Sequence, residues 1–416
     1  MARFTERRRG NVGLRVLDLD FANQYYVGLN SAGRAFPVGW SFTRTDTDGT
    51  ATALDLAGNV IPFASGVPRI TNRGLLVEEG RTNLFPRSQE FNDAVWSKTN
   101  ATVTANATTA PDGAATADKI EETSATGFHG VTQIITLGAG AVTLSAFVKS
   151  AERTFALVGM TDTATGDCNA IVNLTTGAVV GGGAGGSWTG RSVTVTAVAN
   201  GFWWVTVTGT KGASASVGPY IRAALDASTT SYAGTTGSGI FAWQADLQAA
   251  SSATSPIITT GAAGTRGAEI PQITGLGALL TPPFTAITEW NSETPLGGFP
   301  AALGGNNFIY SWSQGDSVPA NRIGMRAVSG NVNGPSGTSR TAGLEIKHAV
   351  AFDGTAAQRQ SVNGASVQNS TLTLPAQTLL NIGRYDAGTP ANGYIRRIRI
   401  LPRAVSDAEL VALTAP

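Results

Sequence analysis

Ala141–Lys149 reads AVTLSAFVK, and its alternation decides the fold. Val142, Leu144, Ala146 and Val148 fall on one side of an extended chain, Thr143, Ser145 and Lys149 on the other, and only Phe147 is out of step. Phe202–Thr208 repeats the pattern, with Trp203, Val205 and Val207 opposite Trp204, Thr206 and Thr208. In Ile240–Gln248, Phe241, Trp243, Ala245 and Leu247 oppose Ala242, Gln244, Asp246 and Gln248. Strands of this kind are buried on one face, which predicts an antiparallel β-sandwich. Pro111-Asp112-Gly113, Thr175-Thr176-Gly177 and Asn200-Gly201 supply turns between them.

Toward the C-terminus the pattern returns. Leu344, Ile346, His348, Val350 and Phe352 share an apolar face, and Asn363-Gly364 marks a hairpin. A short helix is expected after Ser406, which can serve as its N-cap, with Glu409 completing a capping box. Upstream, Leu14–Phe21 reads as a strand and Gly58-Asn59 as a tight turn. Gly74–Trp96, GLLVEEGRTNLFPRSQEFNDAVW, reads as a surface connector into a new domain, with Glu78, Glu79 and Arg81 forming a local ion-pair knot.

The totals set limits. A chain of 416 residues predicts two to three domains, and 51 glycines with 14% charged residues suit many short strands. A net charge of +1 gives no chain-wide electrostatic case for nucleic acid. Cys168 is single and His129 and His348 are the two histidines, which argues against a disulfide or a cysteine or histidine metal cluster. MARFTERRRGN at the start is basic without a following apolar segment, so neither a signal peptide nor a membrane anchor is expected. Val180–Ser187, VGGGAGGS, lacks the Lys-Ser/Thr of a phosphate loop, so no cofactor is expected.

Val67–Asn106, VPRITNRGLLVEEGRTNLFPRSQEFNDAVWSKTNATVTAN, resembles a stretch found in head-spike and tail-fibre proteins of bacteriophages, prophages and gene transfer agents. Gly239–Arg266 and the last sixty or so residues carry the same resemblance. It implies an all-β, multidomain virion protein: a carbohydrate-binding-module-like jelly roll and a concanavalin- or laminin-G-like lectin sandwich. The expected division is a basic arm over 1–11, an attachment region over 12–84, the jelly roll over 85–255 and the lectin-like sandwich over 256–416. The attachment region is expected to supply the sandwich's first strands, which would make the jelly roll an insertion. The resemblance further implies synthesis in the bacterial cytoplasm, display on the particle exterior, homo-oligomerisation and binding of host surface polysaccharide.

Candidate site residues follow from ring chemistry, because sugars stack apolar faces on aromatic rings. Trp204 lies on the polar face of its strand and Trp188 follows the glycine-rich loop. Trp203 and Trp243 are expected in the core, as are Tyr310 and Trp312. Arg384, Tyr385 and Asp386 occupy a loop position that lectin-like sandwiches use for ligands. Arg3, Arg7, Arg8 and Arg9 are candidates for docking onto other virion proteins. A structural Ca²⁺ would suit a jelly roll, but no motif locates it. His348 is expected as a core histidine and His129 in a turn. Catalysis is not expected. Glycosidases need two carboxylates at roughly 5–5.5 Å or roughly 6.5–9.5 Å, and Glu289 and Glu293 lack the Glu-x-Asp-x-x-Glu spacing of concanavalin-like glucanases. A purely structural capsid or fibre component is the alternative, and a capsule-degrading glycanase a third reading.

Overall fold

The computed structural model describes residues 17–28, 31–162, 166–212, 216–291, 298–303, 307–312, 322–327, 330–333, 343–354, 357–371, 377–384 and 390–416. It is nearly all antiparallel β-structure with a single α-helix among the described residues. Two compact units divide the chain. One spans Phe42–Ile270, and the other combines Met1–Ser41 with Pro271–Pro416.

The inner unit is a sandwich of two sheets. The first runs Ser97–Thr99, His129–Thr132, Ser216–Ala224, Phe155–Asp162, Asp167–Asn173, Val179–Gly181. The second runs Ala101–Thr108, Ala117–Glu122, Gly239–Gln248, Gly140–Ser150, Trp203–Lys211, Thr189–Ala197. Val142, Leu144, Ala146 and Val148 meet Val158, Ile221, Val205 and Val207 between the sheets, all at most 1% exposed. The alternation of Ala141–Lys149 is therefore a real sheet face. Turn positions agree too: Gly113, Gly177, Asn200 and Gly201 all have positive φ.

Phe147 is out of step because the second sheet has another buried layer on its outer side. Phe147, Phe202 and Trp243 pack there with Leu54 and Val60 of the hairpin Gly49–Leu54/Val60–Phe63. Trp243 was expected to share a face with Ala245 and Leu247. It does not, because the register slips at Gln244: Ala146 pairs with Ala245 but Phe147 with Trp243, and Gln244 takes φ 42°. A bulge of one residue reverses the side-chain parity of everything beyond it.

Gly74–Trp96 is no surface connector. Leu75, Leu76 and Val77 are at most 1% exposed, and Glu78 sits in a buried ionic network. The Arg69 guanidinium bonds Glu78 and Glu269 at 2.8 and 2.7 Å. Arg266 reaches the same Glu78 oxygen at 2.8 Å, and Ser255 donates to Glu78 through its N–H and hydroxyl at 2.9 and 2.6 Å. Arg44, paired with Asp46 at 2.9 Å, lies 3.6 Å from Glu269. Burial by itself would raise the Glu78 carboxyl, but Arg266, Arg69 and Ser255 overrule it and hold it at about 2. Glu79 does pair with Arg81. The network ties the segment before the jelly roll to the one after it, so the inner unit extends beyond 85–255 on both sides.

The other unit is built from both ends of the chain. One sheet runs Ser31–Gly33, Tyr25–Gly28, Leu17–Asp20, Gly393–Leu401, Phe284–Trp290, Ile346–Phe352, Ala357–Val362, Gln368–Thr371. Leu17 pairs with Ile400 and Asp20 with Arg397, and Arg397 grips Asp18 with two bonds of 2.8 and 2.6 Å. A second sheet includes Arg322–Ala327, Asn307–Trp312, Gly298–Leu303, Leu379–Ile382 and Ile270–Thr274. Asn363 and Gly364 both have positive φ, as their hairpin requires. The helix Asp407–Thr414 forms with Ser406 as N-cap and Glu409 closing the capping box. Its Leu410 packs with Ile287, Ala349 and Ala351.

Candidate functional site

The outward side of the first sheet carries the most distinctive side-chain arrangement. In Ser216–Ala224, Val217, Ile221 and Ala223 turn into the core, which sends Tyr220 and Arg222 outward. Arg222 lies over the Tyr220 ring with its Cζ 3.8 Å from the centroid, and over Phe128 at 4.4 Å. The register explains both contacts. Tyr220 is two residues back on the same strand, whereas the pairing of His129 with Ala223 sets Phe128 one step beyond on the neighbouring strand. The two rings therefore flank the guanidinium from opposite directions along the strands. Gly130 faces Arg222 in the register, and a Cβ there would come within 2.7 Å of Arg222 Cγ. Glycine makes the room.

The polar surroundings are partly engaged. Asn169 donates to the Tyr220 hydroxyl at 3.0 Å, and that hydroxyl lies 3.4 Å from Asp167. Burial raises the Tyr220 hydroxyl well above its ordinary value and lowers Arg222. Leu157 and Ile171 form the apolar floor beside them. Phe128, Ile134, Val179, Val180 and Leu225, all on or next to strands of this sheet, are exposed large hydrophobics. Phe128 and the half-buried Arg222 are the open members of this group, while Tyr220, 1% exposed, supports the guanidinium from within the fold.

A recess of about 380 Å³ lies elsewhere on the inner unit, lined by residues that include Arg87, Glu90, Asn92, Asp93, Asn106 and Asp118. No aromatic ring lines it, and its charges are already matched. Arg87 pairs with Glu90 at 2.5 Å and Asp93 at 3.2 Å, while Asp118 accepts the backbone N–H groups of Phe91 and Asn106 at 2.9 and 3.0 Å.

The expected site residues are scattered. Trp204 is partly buried over the outer layer of the second sheet, its ring parallel to Phe147 at 5.8 Å, so it lies across the sandwich from Arg222. Trp188 is 3% exposed within the core between the sheets and offers no open ring face, a correction to its expected role. The chain turns it inward after the glycine-rich loop, and the Cβ-free Gly209 leaves room against it. Trp203 packs on that core, as expected, and its Nε1 donates to the Leu174 carbonyl at 2.8 Å. Arg384 is 3% exposed and bridged to Pro390, not open to a ligand. Tyr385 and Asp386 lie outside the described residues, as do Arg3, Arg7, Arg8, Arg9 and Glu293, and nothing is described of the Tyr310 and Trp312 side chains.

His348 is the core histidine that its strand position predicts. It is fully buried, its Nε2 3.0 Å from Gln360 Oε1, and burial lowers it to about 4. His129 begins a strand instead of lying in a turn, with its ring nitrogens 2.9 Å from the Asn100 carbonyl and 3.1 Å from that of Tyr232. Glu289 is engaged by Arg399 at 3.4 Å. Among the described residues no group of three or more acidic, histidine or cysteine side chains is placed to hold a metal ion. Sequence reading missed Arg222. The alternation of VGPYIRAA could have shown Tyr220 and Arg222 on one face, but the glycine and the second ring come from another strand.

No family model and no curated protein matches the chain. Among solved structures, domain 4 of AbnA, an extracellular GH43 arabinanase from Geobacillus stearothermophilus in complex with arabinotriose, is 17% identical over 35% of this chain and 73% of its own, with a TM-score of 0.29. The CBM40 domain of the Ruminococcus gnavus IT-sialidase, bound to α2,6-sialyllactose, is 14% identical over 32% of this chain and 82% of its own, with a TM-score of 0.26. A Bacteroides ovatus protein provisionally described as carbohydrate binding is 10% identical over 70% of this chain and 80% of its own, with a TM-score of 0.28. TM-scores this low do not place the chain in any of these families.

Proposed function

We propose that this chain is a non-catalytic virion fibre or spike protein that binds host cell-surface polysaccharide. The observation that carries the binding reading is the exposed Phe128 ring beside the half-buried Arg222 guanidinium, with the buried Tyr220 ring supporting that guanidinium from the other side. The virion setting rests on the resemblance of Val67–Asn106 to phage spike and fibre proteins. Display in many copies, as a homo-oligomer attached through its N-terminal region, would turn a weak single-site affinity into firm attachment. A non-catalytic role fits the state of three buried glutamates. Glu78 and Glu269 are tied to arginines, and Glu122 is held by Arg153, the Tyr232 hydroxyl and the Thr235 N–H.

The test is binding of fluorescently labelled protein to intact host cells with extracted surface polysaccharide as competitor. Saturable binding that the polysaccharide abolishes is the expected result. Absence of binding by folded protein in its native oligomer overturns the reading. Exposed apolar side chains such as Phe128, Ile134 and Leu225 would equally suit a contact between subunits, and the structural alternative then stands.

A further inference from the structure

We infer that Arg222 recognises the carboxylate of an acidic sugar, so that the polysaccharide bound at this sheet face contains uronate or a related sugar acid. The inference rests on the glycan-binding reading and narrows its ligand class.

Three observations lead there. Among the described residues Arg222 has no hydrogen bond or ion pair, although the neighbouring Asn169, Tyr220 and Asp167 are joined to one another. Arg222 is half-buried, so part of its side chain meets solvent. The Tyr220 and Phe128 rings crowd the guanidinium, their centroids 3.8 and 4.4 Å from its Cζ, and the ring faces supply no oxygen acceptor, so its N–H groups are left for a ligand.

The stacking geometry selects the ligand's shape. A carboxylate is planar and matches the guanidinium fork with two parallel N–H···O bonds in one plane. Its flatness suits a guanidinium crowded by two rings. The rest of a pyranose carries its apolar C–H face alongside, where Phe128 is exposed. Burial already lowers the Arg222 pKa, so an anionic partner is more strongly felt here than at an open surface. Lysine would carry the charge but could neither stack nor present a fork.

The experiment uses the full chain over immobilised bacterial surface polysaccharides, neutral and uronate-containing. Each is also presented after carbodiimide–borohydride reduction, which converts every carboxylate to a hydroxymethyl group and leaves the chain intact. The expected result is retention on uronate-containing polymers and its loss on the reduced forms. Arg222→Gln should weaken retention about tenfold to a hundredfold, the size of a lost hydrogen bond to a charged group. Arg222→Lys should recover only part of it. Equal binding before and after reduction, or undiminished binding by a folded Arg222→Gln variant, overturns the acidic-sugar assignment while glycan binding stands. Retention on no polymer removes the glycan-binding reading itself. If Arg222→Gln instead splits the native oligomer in sedimentation, the guanidinium faces a neighbouring subunit and the assignment falls.

Discussion

Removing the Glu78 carboxylate should be among the most damaging single changes to the inner unit. Glu78→Ala strips Arg69 and Arg266 of a shared acceptor at 2.8 Å and leaves the Ser255 N–H and hydroxyl without theirs. Arg69 keeps Glu269, and Arg266 keeps the Ser255 hydroxyl at 2.9 Å, so the loss is partial for each cation. Breaking a buried pair by removing one partner costs about 3–5 kcal/mol. Linkage gives a similar figure. A carboxyl lowered from 4.5 to about 2 by these partners contributes about 3 kcal/mol. Because the folded value is depressed, that stability is fully present above the unfolded value of 4.5 and is lost as pH falls toward 2. The assay is urea unfolding of the full chain followed by tryptophan fluorescence, to which Trp96, Trp188, Trp203, Trp204 and Trp243 of the inner unit contribute. With a slope of about 3 kcal/mol per molar urea, the midpoint should drop by about 1–1.7 M at neutral pH. The deficit should shrink steadily as pH falls from 4.5 toward 2. A midpoint drop under about 0.3 M at neutral pH, or a deficit independent of pH, would refute the account of the network.

Asp246 should behave in the opposite sense. Burial raises it to about 7 against the bonds from Ile257 and Gln248, so it favours folding when protonated and costs stability as pH rises from its unfolded value of 3.8 toward 7. Asp246→Asn should flatten that decline in a pH series of unfolding midpoints; an unchanged slope would count against it. His348 gives a third profile. Burial lowers it from 6.5 to about 4, so the terminal unit should lose up to about 3 kcal/mol of stability as pH falls through that window, and His348→Gln should remove the dependence. Gly130→Ala drives a Cβ to within 2.7 Å of Arg222 Cγ and should destabilise the inner unit by about 1–3 kcal/mol while weakening polysaccharide retention. Deleting residues 1–11 should strip the protein from particles yet leave it soluble and folded; normal incorporation would refute docking by the basic arm.

What the sequence made legible was local. Alternation in Ala141–Lys149, the Asn-Gly turns and the capping box at Ser406 depend on neighbours a few residues away, and each has its expected geometry. What it hid depended on partners far along the chain. Trp243 changed faces because of one bulge at Gln244, which no periodicity announces. Glu78 looked like a solvated charge because its cations, Arg69 and Arg266, include one 188 positions downstream (266 − 78). Trp188 looked available beside a glycine-rich loop, yet that loop folds it inward. Arg222 became a candidate only when register set Gly130 and Phe128 beside it.

The pairing of Leu17–Asp20 with Gly393–Leu401 also fixes an order of events during synthesis. At about 5–20 residues per second, a ribosome needs about 20–80 seconds to deliver the partner after the first strand has emerged. Throughout that time the hydrogen-bonding edge of Leu17–Asp20 stands open, a template for any other extended chain. The intervening Phe42–Ile270 segment contains both sheets of its own sandwich and can close in the meantime. A nascent chain stalled before residue 393 would therefore carry a finished middle and an unquenched beginning, and premature termination in the last strand should aggregate where termination inside the final helix does not.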